Sequence, residues 1–547
     1  MDRRAFLRPR PAPSDTIDAP RVLTPGLLPE AQVEALHALA FRPSDALPTA
    51  GGLAPFAGAW TERRARHLLR RATFGPTPEA VAGAAALGAG PAADALVDGA
   101  LSAPLPPTPT WVPRRPPPSS APQSEKDAFV ALNGEWRRET RDGVVAEALG
   151  LRAAGTALRE RLALVWHDHF VTEYRTHNSA TWLWRYWALL RAHALGDFKA
   201  LVHEMGTTPA MLRYLDGHRN RRGTARDRYG RLNENYAREL LELFTMGITG
   251  PDGAPNYTDV REAGDASDVR QLALVLTGWE LRREESTDVV FTPDRYDDGE
   301  KTVFGETGAF GYDDVVPLLW RHRADAIAHF VCQTIYRAFV YEVPNETVVG
   351  QMADAFRDAD FQIAPVVRAL LKSRHFHSDA TVGARIKGPL ELYLGAFSEL
   401  GLDAAAAPYF LVNEAGKANQ ELFNPPDVFG WPGYRAWLDT SSLPQRWTSL
   451  DALAHRQRGE RPMSALVQRM PSPDARRAGP GAARALAADL ARHLLPQPPT
   501  DAQTDAYVEV LLAGSEEYAW DPALGEAEGR VRGLVAHLVS LPEYQLV

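Results

Sequence analysis

From Glu125 to about residue 400, apolar residues return every three or four positions. That period puts them on one face of successive helices, and it limits what the chain can become. No run of evenly spaced alternating segments breaks it, and no strand–helix–strand rhythm appears. The expected fold is all-α: a large multi-helix globular bundle with long proline-rich loops and at most a small hairpin. Residues 283–315, with their Asp, Gly and β-branched side chains, are the place for that hairpin or for a long loop.

Punctuation in the sequence divides the chain. Residues 1–55 are rich in Pro and Ala and read as an N-terminal extension. A main helical domain is expected over 56–456, with Thr61 capping a helix from Glu62 to Arg71 and Thr77-Pro78 starting the next. Within it, the prolines crowded into 104–123 forbid helix and make that stretch an extended connector. Residues 457–547 read as a linker, with its break over about 457–480, and a C-terminal helical subdomain. Helices are expected there near 481–495, 502–514 and 526–541.

The totals exclude several classes. A chain of 547 residues can bury a core without a disulfide or a metal. Cys332 is the only cysteine and sits in an apolar run, which suits a small buried hydrophobe better than a nucleophile. The net charge is −9 and no basic stripe stands out, so no nucleic-acid partner is expected. Of 60 basic residues six are lysine. With so much Ala, Gly and Pro, the arginine excess is read as GC-rich coding and not as an anion site. Arg3-Arg4 resembles a twin-arginine export motif, but a proline-rich segment follows where an export signal needs an apolar one. No window offers the roughly 20 apolar residues of a membrane span. The protein is read as soluble and cytoplasmic.

Three segments can carry chemistry. In the first, Leu158 to Phe170, a helical wheel places Leu158, Leu162, Val165 and His169 on one stripe. His169 then faces the core, as a metal ligand, a general base or a hydrogen-bonded core histidine, and His167 faces away. The two could share a metal only if the helix ended near Asp168. His169, Glu173 and His177 also step by four, a zinc-like spacing if the helix continued.

The second segment, Asn233 to Gly247, has a capping residue at one end and a stop signal at the other. Asn235, Arg238, Glu239 and Glu242 form a polar stripe on an otherwise apolar helix. Such a stripe either lines an internal polar site, where paired carboxylates suit a divalent metal or acid–base work, or is an Arg238–Glu242 ion pair. The third segment, Phe423 to Gly433, holds three prolines, two glycines and three large aromatics, so it is a loop. It either walls a pocket, through Asn424, Asp427 and Trp431, or closes the core. Asp439 to Ser442 follows as a capping run into the next helix. Lys387, a rare lysine, stands at a helix start against the dipole. An anion nearby would explain it, and so would simple solvation.

Together these segments resemble the bacterial domain-of-unknown-function family 1800. The resemblance rests on His67 to Gly75, Trp166 to Phe170, Asn233 to Gly247, Leu276 to Trp279, Ile386 to Glu391, Asn424 to Trp431, and Leu541 to Leu546. It implies a helical protein and no established activity. Members are often encoded beside a second family, 1501, that resembles alkaline-phosphatase-like enzymes, which implies a protein partner. Many relatives also look exported, against the cytoplasmic reading. Relatives carry a histidine where this chain has Tyr296, so a metal ligand at that place would be lost here.

The leading expectation is an enzyme, a hydrolase or oxidoreductase, with a buried polar site able to take a divalent metal. His169, Glu239 and Glu242, with His167 as a further candidate, are the metal-ligand set. His169, Glu239, Arg238 and Asp427 are the catalytic candidates, and Asn235, Lys387, Asn424 and Trp431 line the pocket. The alternative is a non-catalytic partner or scaffold of a family-1501 protein.

Overall fold

A computed structural model describes residues 51–151, 155–282, 289–402, 408–455 and 462–547. The twin-arginine-like segment and the extension as far as residue 50 lie outside the described residues. Helices of eight residues or more are numbered here in chain order. α1 (Glu62–Ala72) begins where the Thr61 hydroxyl accepts from the Arg64 N–H, and α2 (Pro78–Leu87) where Thr77 does the same for Ala80. Each cap satisfies a donor that the first helical turn leaves unpaired.

After α3 (Ala89–Ser102) the proline stretch carries no helix until α4 (Gln123–Ala148). The stretch is nonetheless docked. Trp111 and Val112 are buried, and the Trp111 ring stacks on Trp136 of α4 with centroids 5.4 Å apart.

Next come α5 (Thr156–His169), α6 (Ala180–Ala192) and α7 (Phe198–Gly206). α8 runs over Asn235–Glu239 and continues as wider π turns over Leu240–Thr245. Gly247 at φ +72° ends that segment, and Asn233 assists its start by accepting from the Asn235 N–H. α9 (Asp268–Val275) leads into two short antiparallel pairs, β1 (Trp279–Leu281) with β2 (Val289–Phe291), and β3 (Lys301–Val303) with β4 (Glu306–Gly308). Phe304 and Gly305, both at positive φ, make the tight turn of the second pair.

The rest is helical again: α10 (Val315–Phe339), bent at Arg323, α11 (Glu346–Asp358), α12 (Ile363–Lys372), α13 (Pro389–Glu399) and α14 (Pro408–Lys417). α15 (Ser442–His455) is led by Asp439, whose carboxylate accepts from the Ser441 and Ser442 N–H groups. α16 (Pro462–Arg469) forms inside the stretch where a break was expected. α17 (Ala482–Leu494), α18 (Asp501–Leu512) and α19 (Ala527–Ser540) fall where helices were expected. The protein is mostly helical, and no described helix is long and apolar enough to cross a membrane.

α5 is the axis of the part that matters most. It packs against α1, α3, α4, α6 and α10, so almost its whole circumference is covered. Three consecutive charged residues on it are buried, and each has a partner on a different helix. Arg159 meets Glu147 of α4, Glu160 meets Arg191 of α6, and Arg161 meets Glu391 of α13. Paired charges of this kind survive burial, where an unpaired one would cost several kcal/mol (about 3–5).

The end of the chain closes the same region. Arg385 and Val547 exchange backbone hydrogen bonds, and the Lys387 N–H donates to the Gln545 carbonyl. This ties the Ile386–Glu391 segment to the C-terminal Leu541–Leu546 segment.

Candidate functional site

Five residues of α5 sit at i, i+3, i+4, i+7 and i+8: Arg161, Leu164, Val165, Asp168 and His169. All five line a cleft of about 360 Å³. Helical spacing puts them on one stripe, with Arg161 and Asp168 two turns, or about 10.5 Å, apart along the axis. The opposite wall comes from far along the chain. It is made by Arg385, Ile386, Gly388 and Glu391 at the start of α13, and by Val428, Phe429, Trp431 and Trp437 of the loop before α15. Phe74 after α1, Leu243 of α8, Phe330 and Arg337 of α10, and Glu342 beyond it also line the cleft. Ile386, Trp431 and Trp437 are buried against one another and pack with Leu164 and Leu546.

The two ends of the cleft differ in charge. At the α5 C-terminus, Asp168 opens onto the cleft but is otherwise surrounded by protein. Burial raises its carboxyl, the Trp431 N–H donating at 2.6 Å to Oδ1 only partly offsets this, and the Glu342 charge pushes it up further, to about 7. No residue but glycine suits position 430. A Cβ there would meet Asp168 Oδ1 at 2.3 Å and the Asp168 carbonyl at 2.5 Å, and the backbone sits at φ +83°.

His169, next to it, is buried and holds its ring by an Nε2–H bond of 2.9 Å to the Phe244 carbonyl of α8. A carbonyl can only accept, so Nδ1 keeps the lone pair. Burial lowers this imidazole to about 4, against the opposing pull of that hydrogen bond, so it is neutral at physiological pH.

At the other end, Glu391 is bound by Arg161 at 2.8 Å and by Arg385. Burial alone would raise this carboxyl. Arg161, Arg385 and then Arg71 overcome that and hold it at about 2. Burial pulls the Arg161 guanidinium down to about 10, which leaves it charged. Three guanidinium groups, Arg71 and Arg161 buried and Arg385 partly so, therefore act on one carboxylate.

The other expected site residues are placed as follows. His167 was expected to face away from the core. It is fully buried instead, because α5 is covered on both sides. Its Nδ1 lies 2.8 Å from the Tyr186 hydroxyl, and burial lowers its ring to about 3. The step of four from His169 to Glu173 and His177 is broken, since α5 ends at His169. Arg238 pairs with Glu242 at 3.3 Å, with Glu234 at 3.7 Å and with Asp259, and the Tyr257 hydroxyl donates to Glu242 at 2.6 Å.

Asn235 donates to the Leu215 carbonyl at 3.3 Å, and Glu239 is buried. None of these four lines the cleft. α8 meets the cleft with Leu243, its Phe244 carbonyl accepts from His169, and neither Glu239 nor Glu242 lines the cleft. The divalent-metal set of His169, Glu239 and Glu242 is therefore not assembled. No group of three or more His, Cys, Asp or Glu placed to hold a metal ion occurs among the described residues.

Trp431 lines the cleft, and its N–H is given to Asp168. Asp427 is exposed and accepts from the Phe429 N–H, shaping the loop. Asn424 braces the loop by accepting from the Arg175 N–H and donating to Glu421. Lys387 is not solvated. It is buried behind the cleft with its ammonium 3.8 Å from the Tyr544 ring centroid, and burial lowers it to about 8, with Glu399 opposing. Tyr296 does not line the cleft; its hydroxyl donates to the Phe310 carbonyl.

Sequence reasoning passed over Asp168, Arg161, Arg385 and Glu391 as a set. The signal for the first two was the stripe 161, 164, 165, 168, 169, with a cation at one end and an anion at the other. Cys332 is buried, as its apolar run implied.

Residues 67–546 match the family described as protein of unknown function, DUF1800, and the chain belongs to it. No curated protein and no solved structure matches the chain.

Proposed function

We propose, from that membership and this geometry, that the protein is an enzyme that works by acid–base chemistry in the cleft along α5, with Asp168 as the group that exchanges the proton. The observation that carries this reading is the environment of Asp168. It is a carboxyl deep in the protein, open on one side to a cleft, fixed by the Trp431 N–H and raised to about 7. A group of that pKa is available in both protonation states at neutral pH, as a general acid or base needs. His169, neutral and pinned by Phe244, offers a lone pair beside it. Five segments that carry the family resemblance, around Phe74, Asp168, Leu243, Glu391 and Trp431, meet at this one cleft.

A second reading has one observation in its favour. The Arg238 stripe is a ladder of ion pairs, as a non-catalytic partner of a family-1501 phosphatase-like protein would show. The two readings part in one experiment. A small-molecule extract is incubated with the wild type or with Asp168→Asn and analysed by mass spectrometry. Compounds consumed by the wild type and left intact by the folded variant support the enzyme. No compound changing in an Asp168-dependent way favours the partner.

A further inference from the structure

The arginine end of the cleft carries more positive than negative charge. Arg161 and Arg385 each give one guanidinium nitrogen to Glu391. A second Arg161 nitrogen donates to the Thr73 carbonyl at 3.2 Å, and the Arg385 side chain, 14% exposed, lines the cleft. Arg161 itself is only 6% exposed, clamped between the Phe74 and Phe339 rings at 5.8 and 5.9 Å, so its charge is held in place. Arg71 adds its charge from behind, its own fork held by the Val340 and Thr381 carbonyls. One carboxylate does not balance three cations.

We propose that the Arg161–Arg385 end of the cleft binds an oxyanion, a carboxylate or phosphate monoester, carried at one end of a flat apolar ligand. The reacting group at the ligand's other end then reaches Asp168. The spacing sets the ligand's length, since two turns of α5 separate the two ends by about 10.5 Å. The lining between sets its character, since Leu164, Val165, Ile386 and Trp431 are apolar. Guanidinium forks suit both oxyanions, because each offers oxygens spaced for paired N–H donors. This rests on the enzyme reading for the role of Asp168, but the binding itself does not depend on it.

The test is calorimetric titration of the full chain with phenyl phosphate, benzoate, inorganic phosphate and uncharged benzyl alcohol. Either aromatic anion should bind at least about tenfold tighter than benzyl alcohol, which is about 1.4 kcal/mol. Its affinity should fall as salt is added, a readout that needs no variant. Which of benzoate and phenyl phosphate binds tighter identifies the oxyanion. Tight binding of inorganic phosphate alone would overturn the apolar body.

Arg385→Gln, checked for an unchanged circular dichroism spectrum, should lose the anion preference, and Arg385→Lys should recover it only in part. Asp168→Asn should bind within about twofold of the wild type, a difference of less than 0.5 kcal/mol. Equal affinity for phenyl phosphate, benzoate and benzyl alcohol in the wild type, or an unchanged preference in Arg385→Gln, would overturn the anion site and leave the enzyme reading standing. Turnover that survives Asp168→Asn would sink the enzyme reading while the anion titration still stood.

Discussion

Two regions of this molecule carry arginine–carboxylate clusters, and they are built to different ends. On α8, Arg238 meets three carboxylates, those of Glu234, Glu242 and Asp259, and a tyrosine hydroxyl takes up Glu242 as well. Negative charge is in excess there, and Arg238, Glu234 and Glu242 are partly exposed, so water can make up a deficit at those groups, while Asp259 is buried against Arg238. Beside α5 the ratio is reversed. Three guanidinium groups, those of Arg71 and Arg161 buried and that of Arg385 partly so, act on Glu391, and two of them line a cleft. The first arrangement is complete in itself; the second leaves positive charge in excess beside a cleft. Opposite charges at helical spacing therefore say little about function until the balance of the cluster and its access to water are known.

The sharpest way to break this contrast is to remove one carboxylate from each cluster. Glu391→Gln leaves buried arginines facing one another and should cost about 3–5 kcal/mol in urea unfolding. Glu242→Gln should cost less than about 1 kcal/mol, since Arg238 keeps Glu234 and Asp259 and is partly solvated. Equal costs would show that the α5 cluster is as well hydrated as the other.

Next in size is Gly430→Ala. Positive φ and the clash with Asp168 should cost about 1–3 kcal/mol and dislodge the Trp431 N–H from the carboxylate. Unfolding midpoints and the loss of Asp168-dependent turnover both read it.

The pH dependence is smaller. Asp168 is raised in the folded state, so the native protein holds a proton there that the unfolded chain has released. Its contribution to stability is full below the ordinary carboxylate range and is lost as pH rises towards about 7. Asp168→Asn should therefore gain on the wild type between pH about 4 and 7, by about 2 kcal/mol, less than the whole shift because one face of the carboxyl meets water in the cleft. Urea unfolding of both proteins across that range checks the sign. Smallest of all, Glu242→Gln should leave phenyl phosphate affinity unchanged.

Local signals in the chain foretold much of the fold. Thr61, Thr77 and Asp439 cap helices because each cap is a contact of two or three residues' reach. Gly247 ends α8 for the same kind of reason. The helix at 462–469 was missed, since a Pro- and Arg-rich stretch gives little periodicity and the helix forms against α19. The site was legible only in pieces. His169 and Trp431 are in the cleft, but the pairing of Asp168 with Trp431 and of Arg161 with Glu391 joins residues more than 200 positions apart. A helical wheel cannot see such contacts.

The same limit misplaced the metal set. A wheel shows that Glu239 and Glu242 share a face, but not that Arg238, Tyr257 and Asp259 already occupy Glu242's surroundings. The arginine excess, explained by coding bias as a total, hid the few arginines whose burial gives them a use.

The most direct measurement is an infrared titration of the carboxyl groups, wild type against Asp168→Asn. The wild type should show one protonated carboxyl band that persists to neutral pH and disappears with a midpoint near 7, and the variant should lack it while Glu242→Gln retains it. Superimposable wild-type and Asp168→Asn spectra from about pH 5 upward, above the ordinary carboxylate range, would mean that Asp168 is already ionised there and would contradict its role as the proton-exchanging group of the cleft.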